Sequence, residues 1–175
     1  AVQSWEAADF VDAFNGAVAG QRATMAAVRR RALEPASFPT VGPRHVKAIK
    51  LQAAGPGWLV GSGGLVLTSA DQGRTWQLPA SPLPPAAYQQ FDFESVTAVG
   101  QHCWIAGSPG SRILYTPDAG RTWQWLDTGQ SLPLHDVRFV DAQHGFACGA
   151  SGTILATNDG GRTWRRQRSG GARLA

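Results

Sequence analysis

Residues 69–76 read SADQGRTW, and this octapeptide decides the fold because its pattern recurs along the chain. Residues 116–123 read TPDAGRTW, and residues 157–164 read TNDGGRTW. All three copies follow the pattern [ST]-x-D-x-G-R-T-W. A motif that returns at a regular interval is typical of a repeat architecture, so each copy is expected to mark one structural unit.

Each copy of the octapeptide lies between short apolar runs that are typical of β-strands. Three runs precede it, the second of them ends in glycine, and a fourth begins at the tryptophan of the octapeptide. Each unit therefore predicts four short strands joined by polar or glycine-rich turns. The three preceding runs are VKAIKL, WLVG and LVLT (46–51, 58–61, 65–68), SVTAVG, WIAG and RILY (95–100, 104–107, 112–115), and DVRFVD, FACG and TILA (136–141, 146–149, 153–156).

The N-terminal segment has two interpretations. Its alanine content, with Phe10 and Phe14 four residues apart, is compatible with a helix over residues 1–34. However, FVDAFNGAVAG (10–20) aligns without gaps on FVDAQHGFACG (139–149), which favours a degenerate repeat. In that repeat RRRALEPASFP (29–39) stands where the octapeptide would be.

The spacing of the strand-ending glycines predicts an all-β propeller of four-stranded blades. Gly20, Gly61, Gly107 and Gly149 lie 41, 46 and 42 residues apart, which suits one blade per repeat. We expect residues 1–175 to form a single, partial propeller, and the start at Ala1 without Met favours a piece of a larger one. The predicted blades are a degenerate one at about 8–40 and three clear ones at about 44–80, 94–128 and 134–168.

The composition excludes several classes of protein. Hydrophobic residues make up 43% and charged residues 16% of the chain, which is typical of a globular domain. A net charge of +4 is too small to indicate a nucleic-acid partner. Two cysteines cannot supply a disulfide framework or a four-thiol metal site. No apolar run reaches the roughly 18 residues that a transmembrane segment needs.

The fixed positions of the octapeptide are explained by a hairpin turn. Its aspartate can accept hydrogen bonds from turn amides, its glycine can adopt positive φ, and its tryptophan can pack against a neighbouring blade. A catalytic or calcium site needs several groups converging on one point, whereas each copy offers a single carboxylate. We therefore predict no catalytic residue, metal or cofactor, and a structural role for Ser69, Asp71, Gly73, Thr75, Trp76, Thr116, Asp118, Gly120, Thr122, Trp123, Thr157, Asp159, Gly161, Thr163 and Trp164.

The octapeptide resembles the Asp-box, or bacterial neuraminidase repeat. The longer unit DVRFVDAQHGFACGASGTILATNDGGRTW (136–164) resembles the repeat of the photosystem II stability/assembly factor family and its non-photosynthetic bacterial relatives. The shared features are a strand ending in F-x-D, then H-G, then G-x-x-G-x-I-x-x-T before the box. The resemblance covers about residues 44–166 well and 8–28 weakly.

This resemblance implies a non-enzymatic scaffold with a protein partner, in association with a membrane protein and outside the cytoplasm. An alternative is a fragment of an Asp-box glycoside hydrolase, sialidase- or endoglucanase-like, with its catalytic residues outside this chain. Against it, the chain has no Arg-Ile-Pro stretch, and the carboxyl residues Asp92 and Glu94 lie two apart on one strand instead of across a cleft.

Binding is expected on the face opposite the boxes. In a propeller the connections from strand four to strand one share that face, here residues 78–94 and 126–136. Exposed aromatic and charged groups there suit a protein partner, although the first loop could equally pack over blade edges. The arginines near the C-terminus could contact an acidic partner, or their charge could simply protect a solvated edge strand from aggregation. The candidate partner-binding residues are Tyr88, Phe91, Asp92, Glu94, His135, Arg165, Arg166 and Arg168.

Overall fold

The computed structural model describes residues 4–21 and 24–167 of the 175-residue chain. Four antiparallel sheets follow one another along the sequence, and a short helix, α1 (Pro85–Gln90), lies between the second and third. The strands are β1 (Trp5–Phe10), β2 (Asn15–Gly20), β3 (Met25–Arg29) and β4 (Ala32–Pro35), then β5 (Val46–Lys50), β6 (Gly57–Gly61) and β7 (Leu65–Ser69), then β8 (Asp92–Val99), β9 (His102–Ser108), β10 (Arg112–Thr116) and β11 (Gln124–Asp127), then β12 (Leu134–Phe139), β13 (Gly145–Gly149), β14 (Thr153–Thr157) and β15 (Arg165–Arg166).

Each sheet is an up-and-down meander in which sequence neighbours pair. The second sheet has three strands, and its fourth position is held by one antiparallel bridge between Thr68 and Gln77. Both amides of that bridge donate to the opposite carbonyl, at 2.8 and 2.9 Å. The predicted all-β propeller of four-stranded blades is therefore confirmed, and we call the four sheets blades one to four.

The N-terminal segment is a blade, so the helical interpretation is wrong. The reason lies in Asp12, whose Oδ1 accepts hydrogen bonds from the backbone N–H groups of Phe14 and Asn15 at 2.7 and 2.8 Å. This carboxylate closes a tight turn between β1 and β2 and takes amides that a helix would pair with carbonyls. Asp141 makes the same two bonds in blade four, at 2.7 Å each. The alignment of 10–20 with 139–149 therefore reflects one shared turn.

The regular spacing of the glycines has a steric cause. At the end of β6, a side chain on Gly61 would overlap the carbonyl oxygen of His45. The final glycine of the second strand meets the backbone at the start of the first strand in the same way in every blade, because a register shift brings the two backbones close together. No other residue fits where the backbones approach so closely.

The hydrophobic core lies in three seams between successive blades. In each seam a trio of side chains from the second and third strands of one blade packs on a pair from the next blade. We call these the seam trio and the seam pair. The trios are Ala17, Ala19 and Met25, then Trp58, Val60 and Val66, then Trp104, Ala106 and Ile113, and the facing pairs are Leu59 and Leu67, then Ile105 and Leu114, then Ala147 and Leu155.

Two features lie outside the repeat pattern. The proline-rich loop contains α1, which begins at Pro85 and packs its buried Ala87 on the Gly63–Gly64 turn of blade two. Cys103 is buried, which raises the pKa of its thiol, but Cys148 is exposed because it lies on the outer face of blade four. Within residues 4–21 and 24–167, no helix has the length and apolar character that a membrane crossing requires.

Candidate partner-binding face and the Asp-box rim

The first octapeptide closes a turn with its own side chains. The carboxylate of Asp71 accepts hydrogen bonds from the N–H and the hydroxyl of Thr75, at 2.8 and 2.7 Å. It also accepts one from the hydroxyl of Ser69 at 2.9 Å, and that hydroxyl oxygen accepts from the N–H of Gly73 at 2.8 Å. Every fixed position of the octapeptide pattern except Arg74 and Trp76 thus takes part in one closed hydrogen-bond network.

The other two copies repeat this network with matching distances. In the second copy Asp118 accepts from Thr122 at 2.8 and 2.7 Å and from Thr116 at 2.9 Å. In the third copy Asp159 accepts from Thr163 at 2.9 and 2.5 Å and from the Thr157 hydroxyl at 2.8 Å. The N–H groups of Gly120 and Gly161 donate to the leading threonine hydroxyl at 2.8 and 3.0 Å.

The glycine of each turn has both a conformational and a packing reason. Gly73 has φ +89°, and a Cβ on it would lie 2.6 Å from the Cβ of Ala17 in the preceding blade. Gly120 and Gly161 have φ +85° and +90° and also approach side chains of the preceding blade. Glycine tolerates this region without the steric penalty of other residues, so it permits both the turn and the close seam.

The tryptophan of each octapeptide anchors its turn to a seam. Trp76 is buried in the first seam. Trp123 meets Trp58 of blade two edge to face, with ring centroids 5.8 Å apart. Trp164 meets Phe139 edge to face at 6.0 Å, and Phe139 stacks on Trp104 of blade three at 3.8 Å. The octapeptides therefore link turn geometry to blade packing.

The turn networks hold the three carboxyl groups in their ionised form. Partial burial on its own raises the pKa of Asp159, but hydrogen bonds to the carboxylate, chiefly from the hydroxyl and N–H of Thr163, outweigh burial and lower the pKa to about 2. The pKa values of Asp71 and Asp118 are also lowered, again because hydrogen bonds outweigh burial. A general acid needs a raised pKa, so this environment opposes that role. Within the described residues no three His, Cys, Asp or Glu side chains cluster as metal ligands would.

One residue at this rim was missed by sequence reasoning. Arg29 of blade one is buried, and its guanidinium donates to the carbonyl oxygens of Asp71 and Gln72 at 3.1 and 2.9 Å. It also donates within its own blade to the carbonyls of Gly16 and Val28, at 3.0 and 2.7 Å. Blade one lacks an octapeptide, but it holds the one in blade two. The signal available was only an arginine run at 29–31, which reads as a solvated charge cluster.

The opposite edge of the sheets forms a second surface, the loop face. It contains α1, the turn at 109–111 and the connection at 128–133. The N–H of Gly64 donates to the carbonyl of Phe91 at 2.8 Å, and the hydroxyl of Thr128 donates to the carbonyl of Ser111 at 2.8 Å. These bonds fix the turns of blades two and three to the strands that begin and end beside them.

A cavity of about 380 Å³ opens on the loop face. Arg112 and Asp127 are paired in register across β10 and β11, so both charges lie at its wall. The Asp127 carboxylate accepts from the N–H of Gly129 at 2.8 Å, which orients it. The other lining residues are Gln90, Phe91, Pro109, Gly110, Ser111 and Gln130.

Two of the candidate residues lie within two positions of residues that line this cavity, although they do not line it themselves. Tyr88 on α1 is 41% exposed, and its hydroxyl oxygen accepts from the N–H of Leu83 at 3.3 Å. Asp92 is exposed, and its Oδ1 accepts from the N–H of Gly63 at 2.7 Å. The ring of Tyr88 is accessible to solvent. The carboxylate of Asp92 is also exposed, but it already binds the Gly63 turn of blade two.

Phe91 requires a correction, because an exposed aromatic was expected and the structure buries it. Its ring stacks on Phe93 at 6.1 Å and tilts against Trp125 at 4.5 Å. Phe91 directly follows α1 and packs in the second seam. It therefore contributes to the cavity only as a buried lining residue.

Of the remaining candidates, those that the structure describes do not line the cavity. Glu94 is half-buried and His135 is exposed. They lie next to Ser95 and Asp136, whose side chains hydrogen-bond between the innermost strands of blades three and four. Arg165 and Arg166 are exposed on the outermost strand of blade four, away from α1. Arg168 lies outside the described residues.

Four consecutive meanders with a repeated turn network define an Asp-box β-propeller. The family model described as Photosynthesis system II assembly factor YCF48 matches residues 42–135 and 133–173. The chain belongs to this family.

Curated relatives agree with the family assignment. The photosystem II assembly protein Ycf48 of Synechococcus sp. is 34% identical over 122 residues, which cover 67% of this chain and 35% of the relative. The photosystem II stability/assembly factor HCF136, chloroplastic, of Arabidopsis thaliana is 32% identical over 62% of this chain and 27% of the relative. The photosystem II assembly lipoprotein Ycf48 of Synechocystis sp. is 30% identical over 62% and 33%. The matched part therefore spans only about a third of each relative.

Solved structures show the same fold. A structure described as YCF48 bound to D1 peptide superposes with a TM-score of 0.60 at 22% identity, covering 75% of this chain and 45% of that one. An ancestral GH74 enzyme superposes with a TM-score of 0.71 at 14% identity, covering 97% of this chain and 24% of that one. At these identities the likeness concerns the fold alone.

Proposed function

We propose that this chain is a non-catalytic, protein-binding propeller of the photosystem II assembly-factor type that binds its partner through the loop face. Membership of the assembly-factor family carries the proposal. The two rims differ in a way that supports the choice of face. Cavities of about 870 and 360 Å³ also open on the octapeptide rim, but the octapeptide carboxylates there are saturated by their own turns. The loop-face cavity instead offers the charged side chains of Arg112 and Asp127.

The cavity suits a peptide segment more than a small metabolite. Its wall carries a guanidinium from Arg112 and a carboxylate from Asp127, so it can pair with either charge of a polypeptide. The amides of Gln90 and Gln130 add donors and acceptors for a peptide backbone. Tyr88 supplies an exposed ring on α1, two residues before the lining residue Gln90, and tyrosine is enriched at protein interfaces.

The class of ligand follows from the relatives. One structural relative is described as bound to a D1 peptide, so we infer that an extended peptide of a partner protein is the ligand here. The Synechocystis relative is named a lipoprotein and the Arabidopsis relative is named chloroplastic. These names support the proposal that this chain acts outside the cytoplasm and in association with a membrane protein.

A glycoside hydrolase fragment is the second candidate, and the GH74 enzyme that superposes on 97% of the chain is the observation that favours it. Such enzymes place two carboxyl groups on opposite sides of the scissile bond. Asp92 and Glu94 instead share β8, and Asp92 holds the Gly63 turn. This function therefore requires residues outside the chain.

Fluorescence anisotropy with a labelled synthetic D1 peptide tests the proposed function. We expect Arg112→Glu and Tyr88→Ala to weaken binding, each about tenfold or more, because the first reverses a charge at the cavity wall and the second removes an exposed ring on α1. Asp71→Ala, on the opposite rim, is the matched control and is expected to bind as the unmodified chain does. Equal binding by all four proteins, or loss only in Asp71→Ala, would contradict the loop face. Release of reducing sugar from a β-glucan by a longer protein that contains this chain, but not by the chain itself, would favour the second candidate.

A further inference from the structure

The larger cavity on the octapeptide rim, of about 870 Å³, is lined mainly by arginines. Its wall carries four guanidinium groups and a single carboxylate, that of Glu34. The lining therefore brings an excess of three positive charges to one concave surface. The lining residues are Phe14, Asn15, Arg29, Arg30, Arg31, Glu34 and Arg74.

The cavity lies at the junction of blades one and two, so both of its walls belong to described blades. Glu34 pairs in register with Ala27, and Ala27 pairs with Ala17, which is buried in the first seam. Arg29 lies two positions along β3 from Ala27, so it shares the face of blade one that meets blade two. Arg74 of the first octapeptide closes the other side. No strand residue from the opposite face of blade one lines the cavity.

Two of the arginines form the turn between β3 and β4 in an unfavourable backbone conformation. Arg30 has φ +46° and Arg31 has φ +74°, and both side chains are exposed. A two-residue hairpin turn with positive φ at both positions favours Asn-Gly, because other side chains meet steric resistance there. In the other three blades this turn is an octapeptide whose aspartate balances its arginine, whereas blade one has three consecutive arginines and no acid. Charge is concentrated where the local conformation opposes it, which indicates that the charge has a use.

The fold does little to neutralise these charges. Arg29 is buried and is held by backbone carbonyls, and no carboxylate of the described chain forms an ion pair with it. Glu34 lies 4.0 Å from Arg74, but both side chains are more than half exposed, so this pair is weak. The carboxylate of Asp12, whose charge also acts on Arg29, is bound by amides of the β1–β2 turn.

We propose that this cavity binds the phosphoryl group of an anionic ligand. A guanidinium group donates two parallel hydrogen bonds to phosphate oxygens, and several guanidinium groups around one site favour a multiply charged anion. A phosphate monoester carries about two negative charges near neutral pH, so it matches the cavity better than a single carboxylate does.

The cavity is larger than a bare phosphate ion, so it also has room for the group that carries the phosphate. Phe14 is 55% exposed at its edge and offers an apolar ring to that group. A soluble phosphoester and the headgroup of an acidic phospholipid share this chemistry. The site lies on the rim opposite the loop face, so its occupation does not depend on peptide binding.

Two probes test the proposal and separate the two sources of phosphate. The first is isothermal titration calorimetry with pyrophosphate. The second is sedimentation with phosphatidylcholine vesicles that contain about one part phosphatidic acid in ten. We expect binding of at least one probe. Binding of pyrophosphate alone would indicate a soluble ligand, and binding of the vesicles alone would indicate a lipid headgroup.

A double substitution of the turn, Arg30→Asn with Arg31→Gly, gives the sharpest outcome. It removes two charges from the cavity but supplies the residues that this turn favours, so the thermal midpoint should stay the same or rise. Binding should weaken at least about tenfold, because two guanidinium donors are lost.

Arg165→Gln with Arg166→Gln is the matched control, because it removes two charges from exposed positions of blade four that do not line the cavity. This variant should bind as the unmodified chain does. Equal weakening in both double variants would show that net charge alone attracts the anion and would overturn the proposal. Failure of the unmodified chain to bind either probe, or full binding by the turn variant, would overturn it as well.

Discussion

The guanidinium of Arg29 reaches across the first seam and donates a hydrogen bond to the backbone carbonyl of Gln72 at 2.9 Å. Gln72 has φ +59°, and its carbonyl belongs to the turn of the first octapeptide. In this way the blade without an octapeptide fastens the octapeptide of its neighbour. A buried charge is favourable here because the cation is surrounded by carbonyl oxygens.

Arg29→Met should destabilise the fold by about 2 to 4 kcal/mol, because it leaves buried carbonyl oxygens without a donor. Urea unfolding followed by tryptophan fluorescence measures this free energy. Arg31→Met is the control, since Arg31 is exposed and a change there should stay within about 0.5 kcal/mol. Equal stability of the two variants would show that the Arg29 bonds contribute nothing.

Asp71→Ala should lower the free energy of unfolding by about 1 to 3 kcal/mol while leaving peptide binding unchanged. The substitution strands the N–H of Thr75, which donates to the carboxylate at 2.8 Å. Glu34→Ala is the control, because its ion pair with Arg74 at 4.0 Å is exposed and contributes little. Unchanged stability together with lost binding would restore a functional role for the octapeptide.

The lowered pKa of Asp159 gives a direction for acid stability. The folded value is about 2, below the ordinary value of 3.8, so the unfolded state binds more protons between them. Stability from this group is therefore complete above pH about 4 and is lost as pH falls toward about 2. Thermal melts across this range should show a shallower acid limb for Asp159→Asn than for the unmodified chain. Parallel acid limbs would mean that Asp159 is not coupled to folding.

Gly61→Ala should destabilise the chain by about 2 to 4 kcal/mol, because the new methyl group would overlap the carbonyl of His45 and force blade two apart. Gly100→Ala is the matched control. Gly100 has φ +61° but open space around it. The substitution should therefore lower the free energy of unfolding only by the conformational cost of about 1 kcal/mol. Chemical denaturation compares the two, and a smaller effect at Gly61 would contradict the steric account of the spacing.

The repeated features of the fold could be predicted from the sequence, and the unrepeated ones could not. The glycine spacing and the octapeptides recur because the same turn and the same close approach recur, as Gly61 and Asp71 show. Internal comparison was enough to identify blade one, since Asp12 and Asp141 close the same turn.

The features that occur only once depend on contacts that no repeated sequence pattern indicates. α1 forms because the Gly63–Gly64 turn leaves space for Ala87, which local propensity does not reveal. The sequence predicts an exposed Phe91 because it lies in the loop 78–94 of the expected binding face, whereas α1 turns its ring into the second seam. Arg29 resembles its exposed neighbours in sequence and differs only through carbonyls supplied from more than 40 residues away.

Hydrogen–deuterium exchange of the chain with and without the synthetic D1 peptide tests most directly whether the boxes fasten blades while the loop face binds. We expect added protection at 85–92, 109–112 and 127–130, because these backbone segments surround the loop-face cavity. We expect none at 69–76, 116–123 or 157–164, whose amides already donate to their own turns. Protection confined to the octapeptides, with no change at the loop face, would contradict the account.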